Sequence, residues 1–134
     1  MTTYYIVGIR PVKHLPPSGG YVPVLKMNWQ SGIFEYGAEY AHRTGGSMDS
    51  DVERVDEPEF IDHVESLRAR LYTVDDELGV LYRELSAIKN AAAAEDRRYT
   101  AQELERRRQI VTQTYAMFQA RYPDDLSTPR ERGR

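Results

Sequence analysis

The sequence predicts an α+β fold, with an N-terminal antiparallel sheet of three or four strands followed by a C-terminal antiparallel helical hairpin of coiled-coil character. Short segments rich in tyrosine and β-branched residues, separated by Gly and Pro, occupy the first part of the chain. A long apolar run at helical spacing and then a capping box follow. We therefore expect a small β head with an acidic connector over residues 1–57, a helical hairpin over 58–122 and a polar tail over 123–134.

The strands of the head are predicted from β-forming residues and the turn residues between them. We expect strands over residues 2–10, 21–30 and 33–40. Pro11 is expected to end the first strand, and residues 11–20, which are rich in Pro and Gly, to form a loop. The turn at Ser31-Gly32 makes a hairpin of the other two strands. The acidic connector, residues 49–57, could add a short fourth strand.

The first helix is predicted from an unbroken seam of apolar residues. Their gaps alternate between four and three, and an average of 3.5 residues is the repeat of left-handed coiled coils. The positions are Phe60, Val64, Leu67, Leu71, Val74, Leu78, Leu81, Leu85 and Ile88. Pro58 suits the first turn, so we expect one continuous helix over about residues 58–92. Gly79 is its one weak point, at a cost of about 1 kcal/mol relative to alanine.

The second helix is predicted over about residues 100–122. Thr100-Ala101-Gln102-Glu103 is a capping box, and Pro123 ends the helix. A short connection makes the two helices antiparallel, which places Leu104 opposite about residue 86 and Arg108 opposite about residue 82. Arg108 then occupies an apolar position of the second helix, so we expect the distal half of the seam to be incompletely covered.

The incompletely covered seam predicts self-association as a dimer or a higher homo-oligomer. The residues expected at that interface are Leu71, Val74, Leu78, Leu81, Leu85 and Ile88. In parallel copies Arg70 would face Asp75 and Glu84 would face Lys89, which are pairs of opposite charge. An intramolecular hairpin alone would explain the seam equally well.

Composition argues against several classes of function. The net charge is −3 over 134 residues, so there is no direct case for binding DNA or RNA or an anionic membrane. We expect no transmembrane helix and no secretion signal, because no apolar run is long enough. Without cysteine there is no disulfide, thiol nucleophile or thiolate metal site. A cytoplasmic protein is expected, in the host cytoplasm if the chain is phage-encoded.

No grouping of residues predicts catalysis, a metal site or a cofactor. The three histidines are scattered, without the HxH or HExxH spacing of metal ligands. The acidic connector superficially suggests a calcium loop, but Arg54 stands at the glycine position and Phe60 stands where the bidentate Glu would be. We therefore expect a protein that is not an enzyme and has no metal or cofactor.

One basic and aromatic grouping does suggest a ligand site. Arg106, Arg107 and Arg108 lie near the start of the second helix, and the predicted pairing brings Tyr82 and Asn90 from the facing helix. Arginine forks, a stacking ring and an amide are what an anionic nucleotide needs. Under the alternative interpretation, the arginines pair on a solvated surface with Glu84, Glu103 and Glu105.

A short antiparallel sheet followed by two long helices that dimerise resembles the phage anti-Thoeris sponge proteins. Those proteins sequester cyclic ADP-ribose-type signals, and in some members cyclic oligonucleotides, between subunits without turning them over. The similarity covers the element order over most of the chain, and the residues that would match are Tyr82, Asn90, Arg106, Arg107 and Arg108. The resemblance implies a cyclic-nucleotide or ADP-ribose-type ligand.

We therefore predict a non-catalytic, self-associating binding protein. It would be a phage or mobile-element accessory protein with an anti-defence role, which sequesters an anionic nucleotide signal or occupies a host protein. The alternative is a structural or scaffolding subunit of a larger assembly such as a phage virion.

Overall fold

The computed structural model describes residues 1–45 and 51–127 and has the predicted α+β fold. The strands are β1 (Thr3–Val7), β2 (Arg10–His14), β3 (Val24–Met27), β4 (Phe34–Tyr36) and β5 (Val52–Val55). A 3-10 turn (Ala38–Tyr40) precedes the helices, which are α1 (Ala41–Gly45), α2 (Glu57–Leu71), α3 (Glu77–Ala94) and α4 (Ala101–Arg121). The chain forms two compact units. Of the described residues, 1–29, 33–45, 51–60 and 123–127 make a sheet unit, and 30–32 and 61–122 make a helical unit.

The sheet unit contains five strands in the order β4-β3-β2-β1-β5, and every neighbouring pair is antiparallel. The short fourth strand expected from the acidic connector is present as β5, although Asp49 and Ser50 lie outside the described residues. The hairpin of β3 and β4 is also present, but it is shorter than predicted because a 3-10 turn replaces the end of the third strand.

The predicted first strand and the loop after it are wrong. Gly8, with φ of +65°, makes a tight turn that a single strand over residues 2–10 could not contain. β2 therefore begins at Arg10 and includes Pro11, which pairs with Ile6 of β1. The pairing of β2 with β3 starts only at Val12, so the missing N–H of Pro11 removes no bond on that side.

Two segments outside the sheet complete this unit. Phe60, at the start of the predicted seam, is fully buried. The centroid of its ring lies 4.7 Å from the ring centroid of Tyr4 and 5.7 Å from that of Phe34. At the other end of the chain, the backbone N–H of Asp125 donates to the carbonyl of Phe34 at 2.7 Å. The first residues of the predicted polar tail therefore lie along the edge strand β4, while residues 128–134 lie outside the described part of the chain.

The predicted continuous helix over residues 58–92 is wrong, because α2 ends at Leu71 and α3 begins at Glu77. Asp76 caps α3 by accepting a hydrogen bond from the N–H of Gly79 at 2.8 Å, and the hydroxyl of Tyr72 donates to the same carboxylate at 2.7 Å. A Cβ at position 79 would collide with the carbonyl oxygen of Val74, so the glycine permits this break. Val74 is consequently 50 % exposed instead of lying within a continuous seam.

The antiparallel pairing of α3 and α4 agrees with the predicted register. The guanidinium of Arg106 bonds the carboxylate of Glu84, which lies within one turn of the residue predicted to face it. The predicted capping box is present, since the hydroxyl of Thr100 accepts from the N–H of Glu103 and the Glu103 carboxylate accepts in return from the N–H of Thr100.

The face that α4 buries differs from the predicted one. The side chains of α4 that are buried belong to Arg107, Ile110, Val111, Thr114 and Phe118. Leu104 is instead 55 % exposed, and Arg108 does not fill an apolar position. The physical reason is a third helix, because Ile61 and Ala69 of α2 pack against the cluster of Leu85, Ile110 and Val111.

The packing of α2 also buries apolar residues that were predicted from the sequence to be buried against a second copy of the chain. Leu78 and Leu85 of the predicted interface are buried within the chain, and Leu81 and Ile88 are half-buried against the cluster of Leu85, Ile110 and Val111. Leu71 is half-buried, and Val74 alone of the six predicted interface residues is exposed.

Candidate anion-binding site

Tyr82 lies in the interior of the helical unit and not on a ligand-accessible surface. It is 1 % exposed, and its hydroxyl donates to the carboxylate of Glu65 at 2.6 Å. Burial and the neighbouring Glu65 raise the pKa of Tyr82, and burial likewise raises the pKa of Glu65 itself. A fully buried ring bonded in this way cannot stack on a ligand.

Glu65 and Tyr82 belong to a buried polar network centred on Arg68. Arg68 is fully buried and donates to Glu65 at 2.9 Å, to the carbonyl of Gly32 at 2.9 Å and to the Gln119 amide oxygen at 2.7 Å. Its guanidinium also lies 3.8 Å from the centroid of the Phe118 ring. The network joins α2, α3, α4 and the segment 30–32, so its role is structural.

Arg106 and Arg108 are engaged by carboxylates, as expected under the alternative interpretation. Arg106 forms a two-pronged pair with Glu84, and Arg108 bonds Glu105 one turn earlier on the same helix. In each case the arginine lowers the pKa of its carboxylate. Arg97 bonds Glu103 in the same way, and this bond together with the backbone N–H of Thr100 lowers the pKa of Glu103 to about 2.

Arg107 and Asn90, by contrast, line one cavity of about 230 Å³ formed by α2, α3 and α4. The polar side chains around it belong to Ser66, Arg70, Ser86, Lys89, Asn90 and Arg107, and Ala69 and Leu85 complete the lining. Arg107 is only 9 % exposed and donates to Asp62 at 3.0 Å, while its guanidinium lies 4.8 Å from the Tyr99 ring centroid. These contacts fix the guanidinium in place.

The lining of this cavity is positively charged. Three of the lining side chains are basic and none is acidic. Within residues 1–45 and 51–127, Arg70 and Lys89 have no ion-pair partner, and Asp62 offsets part of the charge of Arg107. Hydroxyl, amide, ammonium and guanidinium donors around a small cavity are the groups that bind a phosphate or a similar anion.

Arg107 and Asn90 were predicted from the sequence as ligand-binding residues, but the other polar residues of the cavity were not. A signal for them exists, because Ser66 and Arg70 are four residues apart and so are Ser86 and Asn90. This spacing places each pair on one face of its helix. What the spacing could not reveal is that the face of α2 lies beside that of α3, since the two were predicted to form one helix.

The described residues contain no cluster of three or more His, Asp or Glu side chains that could hold a metal ion. Within the same residues, none of the helices combines the length and the apolar character that a membrane span needs. Comparison with protein-family models, with curated proteins and with solved structures finds no match to this chain.

Proposed function

We propose that this protein is a non-catalytic binding protein that holds a small phosphate-bearing ligand in the cavity between α2, α3 and α4. The observation that carries the proposal is the lining of that cavity, in which Arg70, Lys89 and Arg107 converge without an acidic side chain among them. Holding such a ligand without converting it is the action of a sequestering protein. It corresponds to the anti-defence role that the sequence analysis predicts for a phage or mobile-element protein.

The charges and the hydrogen-bond donors of the lining support the proposal. Arg70 and Lys89 carry positive charges without an ion-pair partner among the described residues, so an anion in the cavity is attracted by both. The anion also accepts hydrogen bonds from Ser86 and Asn90, whereas the hydroxyl of Ser66 already donates to the backbone carbonyl of Asp62 at 2.7 Å. Binding to the folded chain alone also raises its stability by about 2.7 kcal/mol when the ligand is at 100 times its dissociation constant.

The test is calorimetry and thermal unfolding with inorganic phosphate, pyrophosphate, cyclic nucleotides and ADP-ribose. At least one of these is expected to release or absorb heat and to raise the melting temperature, and the recovered compound should be chemically unchanged. No heat and an unchanged melting temperature with every one of them would contradict the proposal.

Matched variants assign the binding to the cavity. Lys89→Gln and Arg70→Gln are each expected to weaken binding by about tenfold or more, because one hydrogen bond to a charged group contributes about 1.5–3 kcal/mol. Both side chains are on exposed residues, so the fold should tolerate the change. The control is Arg83→Gln on α3, whose arginine pairs with Asp75 and does not line the cavity. Equal losses in all three variants would argue against this cavity.

Self-association is a second and separate proposal. Two exposed valines flank the start of α3, Val74 at 50 % and Val80 at 54 % exposure, and a second copy of the chain could cover them. Light scattering at micromolar concentration tests this directly. A dimer or a higher oligomer is expected for the wild-type chain and a smaller species for Val80→Lys, whereas a wild-type monomer would contradict the proposal.

A further inference from the structure

The cavity assigned to the phosphate is too small to enclose a whole organic ligand of the usual size. Its volume is about 230 Å³, whereas pockets that enclose a whole organic ligand measure about 300–1,000 Å³. A ligand that extends beyond its phosphate must therefore place the remainder outside this cavity.

A second and larger cavity of about 570 Å³ lies where α3 connects to α4. Its apolar lining includes Ala93, Tyr99 and Leu104, and its basic lining includes Lys89 and Arg98. We call this second cavity the hairpin groove. The groove offers a tyrosine ring, aliphatic carbons and a guanidinium, which are the surfaces on which nucleobases stack.

Two observations place the hairpin groove beside the phosphate cavity. Lys89 lines both of them. In addition, Arg107 of the phosphate cavity lies 4.8 Å from the ring centroid of Tyr99, which lines the groove. The two cavities are thus neighbours, and the cation–π contact holds the Tyr99 ring in a fixed orientation.

We propose that the ligand is a nucleoside phosphate, with its phosphate in the smaller cavity and its base in the hairpin groove. This inference rests on the proposed function, because it assumes that the smaller cavity takes the phosphate. The base would cover Leu104, which is 55 % exposed. Arg98 also lines the groove and has no ion-pair partner within the described part of the chain, so its guanidinium is available to stack on the base.

Calorimetry with three probes separates the parts of this proposal. Inorganic phosphate tests the smaller cavity, adenosine tests the groove, and adenosine 5′-monophosphate tests both together. The monophosphate is expected to bind at least about tenfold more tightly than either of the others, since base stacking contributes on the order of a tenfold gain.

Two substitutions on α3 locate the base. Ala93→Trp fills the hairpin groove and should weaken binding of the monophosphate by about tenfold while leaving binding of inorganic phosphate unchanged. Ala91→Trp is the matched control, because Ala91 is exposed and lines neither cavity. Tyr99→Leu, which removes the ring, provides a second variant should Ala93→Trp fail to fold.

The outcomes distinguish this inference from the proposed function. Phosphate binding that is equalled by the monophosphate, together with no effect of Ala93→Trp, would overturn the nucleoside assignment and leave the phosphate cavity standing. Absence of binding by both phosphate and the monophosphate would overturn the two proposals together. A selective loss of the monophosphate in Ala93→Trp supports them both.

Discussion

Replacing Arg68 with methionine removes the cation at the centre of the buried network in the helical unit. Arg68 donates to Glu65, Gln119 and the carbonyl of Gly32, and both it and Glu65 are fully buried. Methionine preserves much of the unbranched apolar volume, so the loss is mainly electrostatic and little of it comes from a new cavity. The substitution leaves a buried carboxylate without its positive partner.

The expected loss is about 3–5 kcal/mol, the usual cost of removing one partner from a buried ion pair. Domains of this size have total stabilities of about 5–15 kcal/mol, so the variant should lie close to unfolding. With a urea dependence of about 1–3 kcal/mol per molar, the midpoint of urea unfolding should fall by roughly 1 M or more.

The loss should also depend on pH. Burial already raises the pKa of Glu65, and removing Arg68 raises it further, so the carboxyl group takes up a proton more readily in the variant. The deficit should therefore be smaller at pH 5 than at pH 7. Adding Glu65→Gln should recover part of the loss, because the amide is neutral and its oxygen still accepts the bond from Tyr82.

Urea unfolding followed by circular dichroism measures these differences. Arg83→Met is the control, because Arg83 and its partner Asp75 are both exposed and a surface pair contributes less than about 1 kcal/mol. A loss below about 1 kcal/mol for Arg68→Met, or a loss that is equal at pH 5 and pH 7, would refute this account of the network.

Three further predictions concern the helix break, the capping box and the C-terminal segment. Gly79→Ala should lower the melting temperature although alanine favours helix by about 1 kcal/mol, because its Cβ meets the carbonyl oxygen of Val74; a rise would contradict this. Glu103→Gln should destabilise the chain at pH 7, and the difference should shrink steadily as the pH falls from 4.5 towards 2, since the folded chain lowers the pKa of this carboxyl group to about 2; a difference as large at pH 2 as at pH 7 would argue against it. Lys13→Met removes the 2.9 Å pair with Asp124 and should cost about 1.5–3 kcal/mol in urea unfolding while exposing the C-terminal residues to proteases; unchanged stability would speak against that pair.

Local signals in the sequence were sufficient for much of the fold. The capping box at Thr100, the antiparallel pairing of α3 and α4 and the hairpin of β3 and β4 depend on residues that are close in sequence or joined by short connections. The helix break could not be derived from apolar spacing, because the alternation of four and three continues through Val74. The carboxylate of Asp76 three residues before Gly79 was the signal for it, and the apolar spacing concealed that signal.

Only part of the candidate site could be predicted, again because the helix break between α2 and α3 was not. Arg107 and Asn90 could be named from the hairpin register alone, because α3 and α4 position both of them. Tyr82 was misplaced because its partner, Glu65, lies on α2, and only the helix break allows α2 to pack beside α3. Arg70 of the cavity depends on that packing as well, so no single-helix pattern could have assigned it to the site.

The most direct test of the central claim is a nuclear magnetic resonance titration of the labelled protein with inorganic phosphate. The account predicts saturable shifts of the side-chain amide of Asn90 and of the backbone amides of Ser66 and Ser86, which line the cavity. The chemical shift of the Gly79 backbone amide, which donates a hydrogen bond to Asp76 and does not line the cavity, should not change. Shifts that do not saturate, or saturable shifts confined to residues outside the cavity, would contradict the account.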